Sequence, residues 1–451
     1  MPTVETLPRP MAAPDPAPGS VRPKIVAIGV GSLVFGVELL RDVYQTPELR
    51  HAELWLVDLD PEALRRMGAL AARLNDASGW DVSLHTTADR TEALPGAGFV
   101  VTAIARDRDA TWRRDHELAL KHGFPSVLSE NGGPGGLSHT LRSIPPMVEI
   151  AKDIERLAPD ALLLNYTNPE NRVCLAVHRY TKVRSIGLCH GVAETVEWVA
   201  GVLGRPRDQI DLRAAGVNHF TWVTALRSRS TGTDLLPELR ERLRRLPAQE
   251  WRLCRMIFDK FGVFPTTGDN HVGEYIGWAA EVVGTAGYDF DGYARDRRLS
   301  HANLDAWADG SKPVDSLLAK PSHEARLGHA STEIIASLIT GKTTPRPSFI
   351  IPNDGYIENI DRAAVVEVPG MIEGGHWRGV PVGSLPGPVA TMVQREIEIQ
   401  HLAVEAAMTG SRELALQALL IDPVVHSARA AEAFLDDVLR FHGAYLPAFL
   451  A

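Results

Sequence analysis

The sequence is short of cysteine, of long apolar runs and of surplus positive charge. Its three cysteines, Cys174, Cys189 and Cys254, are spread unevenly through 451 residues. An odd, sparse set excludes a disulfide framework and fits a reducing compartment, so a cytoplasmic location is expected. No apolar run approaches the ~18 residues that a bilayer-spanning helix needs. The first 22 residues are rich in proline and alanine and carry acidic groups. They lack the basic start and apolar core of a secretory signal and read as a disordered tail. Acidic residues outnumber Lys and Arg by 56 to 47, for a net charge of −9, which leaves no basic footprint for nucleic acid. The local exception, Arg240 to Arg245, includes Glu241 and reads as a solvated helix face.

What is present is ordinary globular composition, 45% hydrophobic and 23% charged. The length predicts two domains after the tail: residues 23–200 and residues 201–451. In the first, short apolar runs alternate with helical spacing. Strands are expected at Ile25–Ile28, Glu53–Asp58, Gly98–Ile104, Ala161–Tyr166 and Ser185–Cys189. Helices are expected from near Val34, at Pro61–Leu74 with Asp60 as N-cap, at Pro145–Leu157 and at Asn171–Tyr180. This alternation predicts an α/β fold, a Rossmann-like doubly wound parallel sheet. The second half predicts an α+β domain. Its expected strands lie near 214–226 and 348–368, and its expected helices at 235–261, 389–409 and 411–420.

Lys24 to Ile28 runs into Gly29-Val30-Gly31-Ser32, a strand followed by a glycine-rich turn at a helix start. Gly29, Gly31 and Ser32 are placed to let the backbone approach a pyrophosphate. The third glycine of the dinucleotide fingerprint would fall at Val34 and is absent; Gly36 comes two positions late. Asp58, at the end of the next strand, is placed to accept from the ribose hydroxyls of NAD and to repel the extra phosphate of NADP.

A second signal is Cys189-His190 with Asn218-His219. A thiolate and an imidazole suit a borderline-soft divalent metal, and two protein ligands leave positions open for substrate. Taken singly, Cys189 is by default a core thiol and each histidine a core or surface residue. The run Pro265 to Tyr275 gathers Asp269, His271, Glu274 and Tyr275 into an acid/base loop, or into a polar surface loop with a capping Asp. Ser129 to Gly136 sets Glu130 beside a glycine-rich stretch that either approaches a ligand or serves as a flexible linker.

These stretches, with Arg142-Ser143-Ile144-Pro145, Asn165-Tyr166-Thr167-Asn168-Pro169, Ile351-Pro352-Asn353-Asp354-Gly355 and Val365-Val366-Glu367-Val368-Pro369, resemble the family 4 glycoside hydrolases in order from about residue 24 to 370. That group is dependent on NAD and metal and departs from the two-carboxylate scheme. The resemblance implies a fold like that of lactate and malate dehydrogenases. It implies NAD and Mn2+ or another divalent metal as cofactors, and a homodimer or homotetramer. The implied reaction is oxidation at C3 of the sugar, removal of the C2 proton, elimination of the C1 substituent, water addition and re-reduction. By position, Cys189 and His219 look like the metal ligands, and Asn168 looks like a contact to the C2 and C3 hydroxyls, with Asn218 and Arg142 as further substrate contacts. Asp269 stands where the family places its C2 base, with Tyr275 as second choice. Glu130 and His190 are the acid candidates. Members that cleave phosphosugars carry Asp or Asn where this chain has His190, so an unphosphorylated α-linked hexose or hexuronic acid is expected. An acidic substituent would need an Arg or Lys in the pocket, for which Arg142, Arg172 and Arg378 are candidates. Two other readings remain at this point. A 2-hydroxy acid dehydrogenase would need no thiolate ligand, and a non-catalytic NAD sensor would not need Asp269, Asn168 and the metal pair together.

Overall fold

The computed structural model describes residues 22–449 apart from 33–34, 322–324 and 326–329. All but the last residue of the expected disordered tail lies outside them.

Eleven strands form one sheet: β1 (Lys24–Ile28), β2 (Glu53–Val57), β3 (Ser83–Thr87), β4 (Phe99–Thr102), β5 (Leu162–Asn165), β6 (Arg184–Gly187), β7 (Ile210–Val217), β8 (Phe220–Ser228), β9 (Thr344–Pro352), β10 (Val365–Glu373) and β11 (His376–Gly379). The first six run parallel in the order β3-β2-β1-β4-β5-β6. Their buried apolar stretches, Ile25 to Ile28 and Leu162 to Leu164, match a sheet covered on both faces. Strand order reverses between β1 and β4. A crevice for ligands opens there, beyond the carboxyl ends of the strands.

The sheet does not stop at β6. β9 joins it antiparallel through the pair Gly187 and Ile350, and β10, β7 and β8 follow. This extension brings the end of β6, with Cys189, near the β7–β8 turn, which holds Asn218 and His219.

Several helices follow their local chemistry. Asp60 accepts hydrogen bonds from the backbone N–H groups of Glu62 and Ala63, and so caps Pro61–Ser78 as expected. Leu236–Leu243 is a solvated helix braced by an Arg242–Glu238 pair, but the expected helix over 235–261 is broken in two, with its second part at Arg252–Phe261. The run Gly132 to Gly136 is not a linker. It is the buried start of a 25-residue helix, Gly133–Leu157. A Cβ on Gly135 would lie 2.4 Å from Ser129 Cβ, and one on Gly136 would lie 2.5 Å from the Asn131 carbonyl. Close packing, rather than flexibility, requires these glycines. The apolar pattern did not indicate β3, the helix Arg108–Lys121 or the last long helix, Ala428–His442.

The C-terminal helices carry a buried carboxyl with a pH signature. Asp422 is 4% exposed, and its Oδ1 accepts from the Val424 N–H at 2.9 Å. Burial, with Glu396 nearby, pushes its carboxyl up to about 7. Between about pH 4 and pH 7 the unfolded chain has lost this proton while the native chain keeps it. Stability therefore falls as pH rises, by about 1.4 kcal/mol per unit from this group. Asp422→Asn keeps the acceptor and removes the charge. It is expected to raise the urea midpoint clearly at about pH 7.5 and little at about pH 4.5; equal shifts at both would contradict this account.

Candidate active site

The strand-to-helix turn after β1 is built for close approach. Gly29 has φ 88°, and a Cβ there would lie 2.5 Å from the Ala103 carbonyl oxygen. The Gly31 N–H donates to Asp58 Oδ2 at 2.7 Å, and the Asp60 N–H donates to Asp58 Oδ1 at 3.0 Å. Asp58 is thus held at the rim of the turn. The missing third glycine has a replacement. A Cβ on Gly36 would lie 2.1 Å from the Val30 carbonyl oxygen, so Gly36 serves the tight packing of helix on turn although its spacing is late.

A cleft of about 1750 Å³ runs from Gly29, Gly31, Ser32 and Asp58 to Asn168, Cys189, His190, His219 and Asp269. A pocket for one small ligand is typically about 300–1,000 Å³, so this cleft has room for two. Segments that follow β1, β2, β4, β5 and β6 all contribute to its lining.

His219 is the second residue of the two-residue turn between β7 and β8, with φ 63°. Ser129 (φ 61°) and Thr267 (φ 68°), which precede Glu130 and Gly268, are also left-handed. Three strained non-glycine residues thus aim one cluster of side chains. The Thr267 hydroxyl donates to the His219 carbonyl at 3.0 Å, tying the two loops together. Donor atoms of Glu130, His219 and His271 lie within 4.8 Å of one another, and the two imidazole centroids are 4.2 Å apart. Burial and the neighbouring His271 push His219 well below the ordinary histidine range, so it is a neutral imidazole able to give a lone pair. Cys189 lines the same cleft, but its sulfur is outside that convergent group; it accepts from the Gly191 N–H at 3.5 Å. Burial, with the Glu367 carboxylate, pushes its thiol well up, and a bound cation would reverse this. The donor types, imidazole, carboxylate and thiol, fit a borderline divalent cation.

The other sequence-derived site residues divide into two sets. His190, Glu130 and Asn168 line the cleft. Asp269 lines it too, and its Oδ1 accepts from the Cys254 N–H at 2.9 Å, in the first turn of Arg252–Phe261. Asn218 and Tyr275 do not line the cleft, and Arg142 lines only a small side pocket that shares Arg106, Arg108 and Glu130 with it. Arg142 is 3% exposed and spends both terminal nitrogens on Asp115. The Asn218 amide donates to Glu367 at 3.2 Å. Tyr275 is buried against Phe220, its phenol pushed well up by burial, and its hydroxyl donates to the Asn218 carbonyl at 3.5 Å. The expected arginines for an acidic substituent also fall elsewhere. Arg172 is buried against Glu396 and Arg378 is exposed on β11, whereas Arg106, Arg108 and Arg297 line the cleft.

Sequence reasoning named Glu274 and the run around Asn131 but not their part in holding the site, and it missed Arg108. Glu274 Oε1 accepts from the backbone N–H groups of Glu130, Asn131 and Gly132. The Asn131 amide reaches Asn168 Oδ1 at 3.1 Å and His219 Nδ1 at 2.9 Å. Arg108 pairs with Glu130 and lies over Trp112. The sequence traces of this scaffold were the polar run 265–275, which includes Glu274, and the glycine-rich run 129–136, which includes Asn131; Arg108 and Trp112 gave none.

The model of the family 4 glycosyl hydrolases matches residues 24–205, and that of the family's C-terminal domain matches residues 214–425. An alpha-glucosidase of Erwinia rhapontici is 31% identical, over 92% of this chain and 96% of that protein. An alpha-galactosidase of Bacillus subtilis is 30% identical, over 94% and 99%. A crystal structure of a 6-phospho-alpha-glucosidase from gut microorganisms, in complex with NAD and glucose-6-phosphate, superposes with a TM-score of 0.79 at 25% identity, over 94% and 99%.

Proposed function

The chain belongs to glycosyl hydrolase family 4, and from that premise we propose that its cleft cleaves α-glycosides of unphosphorylated hexoses or hexuronic acids. It is an NAD- and divalent-metal-dependent glycosidase. The observation that carries the reading is the meeting, in one cleft, of a dinucleotide cradle and a cluster of cation donors. A dehydrogenase needs only the first, and a metallohydrolase only the second. When bound, NAD and the cation supply reversible oxidation at C3 and polarisation of the carbonyl so formed.

The rest is the work of this chain. Gly29, Gly31 and Ser32 receive the pyrophosphate, and Asp58 accepts from the ribose hydroxyls. Cys189 and His219 are the proposed cation pair, with manganese the proposed ion. Asn168, steadied by Asn131, meets the vicinal hydroxyls of the sugar. Asp269 takes the C2 proton, which the neighbouring ketone has made acidic. Glu130 and His190 are the groups proposed to protonate the leaving oxygen; His190 is half-exposed at the mouth and Glu130 buried inside. Residues 23–200 are proposed as the nucleotide-binding domain and 201–451 as the domain for substrate, metal and self-association. A homo-oligomer in the cytoplasm belongs to the same proposal. No helix among the described residues is long and apolar enough to cross a membrane.

The test is turnover of nitrophenyl α-glucoside, galactoside, glucuronide and galacturonide in deuterated water with NAD+ and Mn2+. Deuterium should appear at C2 of the released sugar, NADH should not accumulate, and EDTA should stop the reaction. Stoichiometric NADH would instead mark a dehydrogenase, and product without deuterium would exclude C2 deprotonation.

A further inference from the structure

Among the described residues that line the cleft, Arg41, Trp307 and His271 each carry a buried side-chain nitrogen with no hydrogen-bond partner, and that of His271 lies among cation donors. His271 sits on the short helix Gly268–Gly273, and its Nδ1 is buried with no hydrogen-bond partner. A buried ring nitrogen left without a partner is destabilising, so it calls for one. The nearest carboxylate oxygen is Glu130 Oε2, 3.8 Å away. That is too long for a hydrogen bond, whose heavy-atom distance is about 2.7–3.2 Å. It suits two ligands on one ion, each about 2.0–2.2 Å from it.

The surroundings fix the geometry from three sides. Glu130 is oriented by Arg108, which holds its Oε1 and leaves Oε2 toward His271. Its backbone is pinned by Glu274. His219 is fixed by its hairpin turn and by Asn131, and the Thr267 hydroxyl binds its carbonyl one residue before the helix that carries His271. The three donor atoms converge within 4.8 Å although each comes from a different segment.

We infer that His271 is a direct protein ligand of the divalent cation, beside the proposed pair Cys189 and His219, and that Glu130 Oε2 closes the same shell as a carboxylate, which leaves His190 as the group that protonates the leaving oxygen. The ion is then bound by two imidazoles rather than one. The inference rests on the metal dependence stated above and concerns only which side chains hold the ion. Its chemical consequence is selectivity. Two neutral imidazoles and a carboxylate favour manganese, iron, cobalt, nickel or zinc over magnesium and calcium, which prefer all-oxygen shells.

The experiment is pulsed electron paramagnetic resonance of the full-length protein loaded with Mn2+, with and without 15N-histidine labelling. Calorimetric titration of Mn2+ into the wild type and His271→Gln accompanies it. The wild type should show two coupled imidazole nitrogens. His271→Gln should show one and bind Mn2+ at least tenfold more weakly, while its NAD+ affinity and circular dichroism are unchanged. A single imidazole in the wild type, or Mn2+ affinity of a folded His271→Gln within twofold of wild type, overturns the assignment. If His271→Gln fails to fold, the count in the wild type alone decides. Absence of any Mn2+ binding by the wild type would overturn the metal reading as well, so the two failures are distinct.

Discussion

Asp269→Asn should lower kcat by about 10²–10⁴-fold, the range that a positioned acid or base contributes. This corresponds to about 2.7–5.5 kcal/mol of transition-state stabilisation. Asparagine is close to isosteric and keeps an Oδ1 to accept from the Cys254 N–H, so the join between this loop and Arg252–Phe261 should persist. What is lost is the ability to take a proton. Exchange of the C2 hydrogen with solvent should vanish from the product, while the dissociation constant for NAD+ and the thermal midpoint stay near wild type. A variant that exchanges C2 at the native rate would reduce Asp269 to a helix cap, and the base would have to be another group lining the cleft.

Arg142→Met should cost about 3–5 kcal/mol of folding stability, the usual result of stranding one partner of a buried ion pair. Arg142 donates to both oxygens of Asp115 and to Ser138, and His442 Nε2 lies 3.0 Å from the same carboxylate. Burial alone would raise the Asp115 carboxyl. Arg142 and His442 overcome this and hold it below the ordinary range. A depressed carboxylate stabilises the fold above its unfolded value near pH 4, and that contribution is lost as pH falls through the folded value. The loss in Arg142→Met should therefore be largest at neutral pH and shrink in acid, and adding Asp115→Asn should recover part of it. The urea midpoint reports this directly. A change below about 1 kcal/mol, joined to a raised KM for acidic glycosides, would return Arg142 to the substrate site.

Much of the nucleotide half was legible because its signals are local. A buried strand, a turn that needs left-handed backbone and a carboxylate at the next strand end all lie within one βαβ unit. Gly29 and Asp58 stand where that unit places them, and Asp60 caps the helix it precedes. The glycine run at 132–136 misled, because flexibility and close packing call for the same residue. Only the positions of Ser129 and Asn131 show which applies. Gly36 is the opposite case: its spacing fails the fingerprint, yet its contact with Val30 meets the packing need.

The two signals that stand out in the chain, a glycine-rich turn and a Cys–His pair, were determined by sequence alone, since each is a short-range pattern of residue types. Their meeting in one cleft was decided by the sheet, which continues past β6 and carries His219 on a hairpin toward the nucleotide crevice. Which charges face solvent and which are consumed in the interior also belonged to the tertiary structure. Arg142 and Arg172 look like any other arginines in a line of letters. Opposite Asp115 and Glu396 they are internal counter-ions, because a buried charge must find its partner inside the protein.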